Sequence, residues 1–299
     1  INFLSKKNIC FVISAVLILG GLAVMGVNGS KGKGALNYSL EFQGGTSITI
    51  PMNEALSIQE IDETVKPVVS EVIGSNEIQA QKVDGSNDVI VKTRALDLET
   101  REALCQELVE KFGVDENQIA IENIGAAISS EMRSDAITAV LLAALFMLLY
   151  IWFRFKDIRF ATSAVAALLH DVLVVLAFYA VARLSVGSNF IACMLTIVGY
   201  SINATIVIFD RIRENLATAG RKADLQELVN RSITQTLSRS VNTSVTTFIT
   251  VAVLYILGVA SIREFALPLM VGIVCGAYSS VCITGALWYV MKMKMGKKN

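Results

Sequence analysis

Apolar residues gather along this chain into six runs long enough to cross a bilayer, and between the first two lies a long stretch of quite different pattern. A hydrocarbon core of about 30 Å needs about 20 consecutive apolar helical residues. Ile9–Val27, Ala136–Phe153, Phe160–Ala182, Asn189–Phe209, Ser240–Ala260 and Phe265–Met291 meet that length and predict six transmembrane helices, here spans 1 to 6. Apart from Cys and Tyr, five of them hold no ionisable side chain, whereas span 3 carries His170 and Asp171 near its middle.

Between spans 1 and 2 the period changes. Asn28–Gly34, rich in Gly, Ser and Lys, reads as a linker. Tyr38–Ile50 reads as a β run, with Thr46, Ile48 and Ile50 alternating against Ser47 and Thr49. Ile58, Ile61, Val65, Val69 and Ile73 fall at helical spacing. Strands at Glu77–Val83 and Asp88–Thr93 flank Asp84-Gly85-Ser86-Asn87, a hairpin turn. A second helix, Leu98–Phe112, opens on Glu99 and Glu102 and presents Leu104, Leu108 and Phe112, and Gln118–Ile124 is a last strand. The order β-α-β-β-α-β predicts a ferredoxin-like α+β domain. Within the first strand pattern, Gly44-Gly45 predicts a bulge or a close backbone approach.

The expected organisation is therefore residues 1–28 for the N-terminus and span 1, 29–133 for the polar domain, and 134–299 for spans 2 to 6 with a C-terminal tail. Between spans 4 and 5, Leu225, Leu228, Val229, Ile233 and Leu237 recur at helical spacing among charges, so Asp224–Leu237 is expected as an amphipathic helix on the inner membrane face.

Composition narrows the class. The chain is 54% hydrophobic and 17% charged, against about 25% charged in soluble proteins. A soluble enzyme, a disordered chain and a β-barrel porin are excluded. The formal net charge of zero hides a split, because residues 29–133 hold 9 Lys/Arg against 18 Asp/Glu. Short basic loops stay cytoplasmic. Outside the polar domain, 15 basic residues lie on one side: Lys6 and Lys7, Arg154, Lys156 and Arg159, Arg211, Arg213, Arg221, Lys222, Arg231 and Arg239, and Lys292, Lys294, Lys297 and Lys298. Arg183 and Arg263 face them from the other. Both termini are thus expected in the cytoplasm and residues 29–133 outside. Span 1 is too long for a typical signal core and lacks a clean small-residue cleavage site, so it reads as an uncleaved anchor. Cys10, Cys193, Cys275 and Cys282 lie in spans as small apolar fillers, and Cys105 is alone outside, with no disulfide partner in view.

The polar domain shows no catalytic constellation: it has no His, no paired Cys and no phosphate-binding glycine loop. Candidate chemistry lies in the spans. An ionisable residue there is costly and usually faces the bundle interior, and His170-Asp171 lies about 15 Å from either end of span 3. It reads either as a proton or ion relay or as a buried structural pair. Span 4 carries Gly199, Ser201, Asn203 and Thr205. In span 5, Arg239, Asn242, Thr243, Thr246, Thr247 and Thr250 recur at three- and four-residue intervals, a polar face several turns deep that serves conduction or helix packing. Gly272, Gly276, Ser280 and Thr284 of span 6, each four apart, predict close helix approach and no chemistry. An intramembrane hydrolase needs a nucleophile and a base, for which His170-Asp171 alone is too little.

Several of these motifs resemble one family. Gly199-Tyr200-Ser201-Ile202-Asn203 followed by Phe209-Asp210-Arg211-Ile212-Arg213-Glu214-Asn215 is similar to the fourth-span signature of SecF proteins, in the SecD/SecF family of the RND superfamily. Ser232–Arg239, His170-Asp171-Val172, Leu40–Thr46 and the approach to span 2 through Ser130-Glu131-Met132-Arg133 resemble the same family, in order along nearly the whole chain. The resemblance implies half of an RND-type twelve-span unit that pairs with SecD beside the SecYEG channel, often with YidC. It further implies that such a unit draws unfolded preprotein across the cell membrane by the proton-motive force. Neither a cofactor, a metal nor nucleic acid is implied, and no covalent step, so the chain is expected to be a translocation subunit and not an enzyme. Membrane lipid is its surroundings. Where the family usually has Asp after Ser-Ile-Asn, this chain has Ala204. The proton-pathway candidates are accordingly Arg239, Ala204, Asn203, Asp171 and His170, with Asn242, Thr243 and Thr246 as the polar stripe. The other readings are an RND small-molecule or lipid exporter half and a passive scaffold of the translocon.

Overall fold

The computed structural model describes residues 2–31, 34–75, 78–83, 86–155, 157–219 and 223–295. Gly32 and Lys33 of the expected linker, Glu77 of a strand, Asp84 and Gly85 of the turn, and the basic residues Lys156, Arg221, Lys222, Lys297 and Lys298 lie outside them. The chain divides into two compact units, residues 38–137 and residues 1–37 with 138–299, the second boundary falling within the helix Ala126–Phe155.

Among the described residues, six helices are long and apolar enough to span a membrane: Leu4–Ser30, Ala126–Phe155, Ile158–Ala182, Ser188–Thr218, Leu225–Leu257 and Ile262–Lys294. They fall on the six predicted runs and mostly outrun them. Burial ranks them. Half of the apolar window of span 3 and 61% of that of span 6 are buried, against 11% for span 1 and 6% for span 2. Spans 3, 4 and 6 thus form the core, and the others lean on it. Small residues set the spacing, as the span 6 stripe predicts. A Cβ on Gly272 would run into Ile197 of span 4, and one on Gly276 would come within 3.2 Å of the Ser201 Cβ. Near the end of span 4 that carries Asp210, Phe160 stacks on Trp288 at 5.0 Å and meets Phe209 edge-on at 4.7 Å.

Two expectations are corrected here. The segment Asp224–Leu237 is no separate interfacial helix but the first turns of the continuous helix Leu225–Leu257. Asp224 caps its start by accepting from the Gln226 N–H at 2.8 Å, and no Gly or Pro interrupts the chain before Gly258. Its apolar side goes into the bundle, where Leu228, Val229 and Ile233 join Phe160, Phe209 and Trp288. Likewise, span 1 continues through Ser30, so the linker begins later than Asn28.

In the unit 38–137, four antiparallel strands lie in the order Gln79–Lys82, Asp88–Thr93, Gly45–Pro51, Ala120–Ile124. Helical residues 58–73, which include a π turn at Ile61–Val65, and the helix Leu98–Phe112 complete the expected element order. Inward residues of strands and helices meet in one core of Ile48, Ile50, Val65, Val69, Val91, Leu104 and Leu108, with Met52, Ile61, Ile73, Val89, Leu96 and Val114. The predicted run Tyr38–Ile50 is broken: Leu40–Gln43 forms a helical turn, and the strand starts at Gly45. Gly44 and Gly45 make the corner at φ 71° and 114°. Only glycine takes such values without strain, and a Cβ on Gly45 would drive into the Thr93 carbonyl oxygen.

Gly45→Ala should therefore destabilise this unit by about 1–3 kcal/mol or more, read as lost amide-exchange protection in Gly45–Pro51 and Asp88–Thr93 of the full chain. Helix caps predict an acid limb. The backbone N–H of Ser57, then its hydroxyl, holds the Glu60 carboxyl below its ordinary 4.5, and Thr100 does the same for Asp97 below 3.8. A carboxyl with a lowered folded-state pKa contributes stability above its unfolded value and loses it as pH falls through the folded one. The unit should melt earlier as pH drops from about 5 to about 3, and Asp97→Asn should flatten that dependence in thermal unfolding followed by circular dichroism.

Candidate functional site

Two polar clusters lie within the bundle, one on each side of span 4. The first is built on Asp171, which has none of its surface exposed. Its Oδ2 accepts from the Ser201 hydroxyl of span 4 at 2.5 Å and from the Ser279 hydroxyl of span 6 at 2.8 Å. On the other oxygen, Oδ1, the Cys275 thiol donates at 3.3 Å and His170 Nδ1 lies at 2.9 Å. With His170 in the Nδ1–H form, four donors surround one carboxyl group. A buried polar group left without partners costs about 1–3 kcal/mol, and these contacts offset that cost.

Helix geometry explains who takes part. Adjacent residues on a helix point about 100° apart, so His170 and Asp171 bond to each other only through the near side of the imidazole. The far nitrogen, Nε2, is buried and has no partner among the described residues. The ring lies 6.1 Å from that of Tyr278, whose hydroxyl donates to the Cys10 carbonyl of span 1 at 2.9 Å. Just beyond Ser279, span 6 passes through a π turn, Ser280–Thr284. Such turns are rare and re-aim the side chains beside them.

The sequence pattern marks the pair and leaves most of its partners unmarked. Cys275, expected as an apolar filler, is instead a donor to Asp171, and Ser279, which no motif marks, is another. The signal was present in the small-residue stripe. Where Gly276 brings span 6 against Ser201, its neighbours Cys275 and Ser279 must flank the same contact. His170, Asp171 and Cys275 also place three ligand-type atoms within 4.8 Å of one another. Those separations are equally those of the hydrogen bonds just described, and the groove beside them is lined mainly by apolar side chains such as Val16, Leu17, Val174 and Phe178. The cluster is therefore read as hydrogen-bonded.

The second cluster joins Arg239, Ala204, Asn203 and Thr243 with Tyr200, Val207, Ser240 and Ser244 around a cavity of about 140 Å³ between spans 4 and 5. No carboxylate pairs with Arg239 among the described residues. Asn242 and Thr246 lie outside this cavity, on the exposed face of span 5. Among the described residues, the hydroxyls of the stripe do not bond span 5 to another helix. Thr243 donates to the Arg239 carbonyl, Thr246 to Asn242, Thr247 to Thr243 and Thr250 to Thr246, each one turn back, at 2.8–3.0 Å. Arg239, Asn242, Thr243 and Thr246 are all exposed, as is Asn203. The hydroxyls of this face are satisfied within span 5, and the Arg239 cation is left outward.

Fold and clusters together define a class: a polytopic helical membrane protein of six spans, a polar α+β unit between the first two and polar groups buried in the bundle. Comparison with known proteins is specific. The family described as "Protein export membrane protein SecD/SecF, C-terminal" matches residues 104–294. The protein translocase subunit SecF of Sebaldella termitidis is 35% identical over 294 residues, covering 98% of this chain and 92% of that one. The protein translocase subunit SecDF of Thermus thermophilus is 39% identical over 290 residues, 96% of this chain and 38% of that one. A crystal structure of SecDF from Thermus, described as a translocon-associated membrane protein, superposes with TM-score 0.83 at 36% identity over 98% of this chain and 39% of that chain. SecDF in a super-membrane-facing form gives 0.68 at 35% identity, over all of this chain and again 39% of that one. The chain belongs to the SecD/SecF family of protein-export membrane proteins, and it spans about two fifths of the SecDF chains.

Asp171→Ala would leave a hydrogen-bonded buried site without its centre, and should cost about 3–5 kcal/mol. Asp171→Asn, whose amide oxygen still accepts from Ser201 and Ser279, should cost about 1–3 kcal/mol. Thermal unfolding of the two variants in detergent measures that order.

Proposed function

We propose that this chain is the SecF-type half of a paired accessory subunit of the Sec export machinery, and that its intramembrane polar residues couple export to the proton-motive force. The outward polar face of spans 4 and 5 carries the reading. Arg239 and Asn203 stand exposed there with no acid beside them among the described residues, which suits a second six-span half. SecDF relatives in which this chain corresponds to about two fifths of one polypeptide support SecD as that half. SecYEG, YidC and unfolded preprotein are the further partners. The basic loops favour cytoplasmic termini and an external polar unit.

In this reading Asp171 and His170 hold a proton between spans 3, 4 and 6, and Arg239, Asn203 and position 204 form the pathway at the face of the partner. Thr243, Asn242 and Thr246 line the approach. Moving one elementary charge through 100 mV supplies about 2.3 kcal/mol, so a few protons suffice to bias a domain motion. No covalent bond is made or broken. With Ala204 in the place of a carboxylate, Arg239 has no fixed counter-charge, and coupling at this point is weakened while the fold stays intact.

The test restores the acid. Ala204→Asp, co-expressed with the partner half, should gain gradient-dependent late export in membrane vesicles at least several-fold over the Ala204 chain. Equal export by both, with the same response to the gradient, would remove position 204 from the pathway, and equal export with no response in either would make the subunit a scaffold.

A further inference from the structure

Within the bundle, span 2 is fastened at one end. Between residues 138 and 155 its buried side chains are Ile151 and Phe155 alone, both among the last five positions. There Arg154 Nη2 donates to both carboxylate oxygens of Asp210 in span 4, at 2.7 and 2.8 Å. The Arg154 carbonyl accepts from Arg213 at 3.3 Å. The Phe155 ring lies 5.4 Å from that of Phe160 and 5.8 Å from that of Phe209. Farther along, the packing opens. A cavity of about 260 Å³ with a wholly apolar lining separates Val140, Ala143, Ala144 and Leu148 from spans 3 and 4. From Ala126 to Phe155 the helix contains no Gly or Pro, the residues at which helices most often kink. Gly125 alone separates it from the strand Ala120–Ile124.

A straight helix held at one end and clear of its neighbours along the rest is a lever. We infer that span 2 pivots on the Arg154–Asp210 contact and closes into the gap beside Val140–Leu148, which makes Arg154 and Asp210 positioning residues for export. The energetics permit both positions. Lipid tails are as apolar as the side chains that line the gap, so closing it trades lipid contacts for protein contacts with little net change. Ala143 and Ala144 are small enough to let the helices approach closely. The ion pair does not supply the fastening. Its side chains are 34% and 37% exposed, and pairs so open to solvent contribute little stability, so Ile151 and Phe155 hold the end in place. What the pair fixes is the point about which span 2 turns, and it fixes that point on the helix that carries Ser201 to Asp171. A shift of span 4 moves the fulcrum, and the lever enlarges it at the far end, where the chain leaves the strand Ala120–Ile124. The part played in export rests on the function proposed above, whereas the pivot itself does not.

Cysteine pairs across the gap test the pivot in the full chain, co-expressed with the partner half. Leu148→Cys with Val165→Cys lies nearest Arg154, Ala144→Cys with Leu169→Cys comes next, and Val140→Cys with Val172→Cys is farthest. All six positions line the gap. Each pair is treated in membranes with a short or a long bis-methanethiosulfonate, and the products are mapped by mass spectrometry. The inner pair, close to the fulcrum, should favour one reagent at least fivefold. The outer pair should accept both about equally, because its separation varies as the helix swings. Arg154→Gln and Asp210→Asn should each erase the preference of the inner pair while shifting Tm by no more than about 4 °C. Arg154→Lys should keep it, since a single nitrogen makes both bonds to Asp210. Ala143→Trp, which fills the gap, should restrict the outer pair to the long reagent and lower late export in vesicles at least fivefold. The same reagent preference at all three pairs, or an inner preference that survives Arg154→Gln, overturns the pivot. Export unchanged by Ala143→Trp, with the outer pair restricted, keeps the pivot and removes its part in export. A parent chain that promotes no export at all defeats the proposed function, and the cross-links still decide the pivot.

Discussion

A carboxyl group with none of its surface exposed must find every hydrogen bond inside the protein, and Asp171 does so by drawing on three helices at once. Ser201 reaches it from span 4, Ser279 and Cys275 from span 6, and His170 from its own helix. Those bonds are short-range, so they fix how closely the helices approach. Gly272 and Gly276 follow from this requirement, since only a bare backbone lets span 6 come near enough to Ile197 and Ser201. Burial has the same origin: spans 3 and 6 are the two most enclosed helices, and spans 1 and 2 are free to face outward.

Span 4 is where the two polar clusters meet. Ser201 faces the closed site, and Asn203 and Ala204, two and three positions on, face the cavity shared with Arg239. At about 100° per residue, Asn203 stands about 160° around the helix from Ser201 and Ala204 only about 60°, so the cavity begins beside the closed site and continues around span 4 to its far side. Any displacement of span 4 that lengthens the Ser201 bond to Asp171 also moves the wall of the Arg239 cavity. The two clusters differ in economy as well. Asp171 is satisfied from within the chain, while Arg239 is left with no carboxylate beside it among the described residues.

Much of this was legible beforehand, and the reason differs by feature. The six spans were plain because lipid imposes a length and a polarity that no local sequence can disguise. Within the polar unit, the strand Asp88–Thr93 and the helix Leu98–Phe112 fell on their predicted bounds, since alternation and helical spacing mark them residue by residue. The break at Leu40–Gln43 was not legible as a helical turn, although Gly44-Gly45 announced that something happens there. The packing of Asp224–Leu237 is not legible in the sequence, for a physical reason. An amphipathic pattern says that one face is apolar, and it leaves open whether membrane or protein covers that face. Trp288, Phe209 and Phe160 cover it here.

The sequence by itself determined the class, the spans and the identity of the costly groups, because burying charge in a membrane is so unfavourable that His170, Asp171 and Arg239 stand out against any apolar background. Only the tertiary structure decided which of them are partnered. Residues 171, 201 and 279 are separated by dozens of positions, and hydrogen bonding falls off within an ångström of its optimum, so no spacing in the chain encodes their meeting. The packing of three helices does, and it closes around Asp171 while leaving Arg239 open.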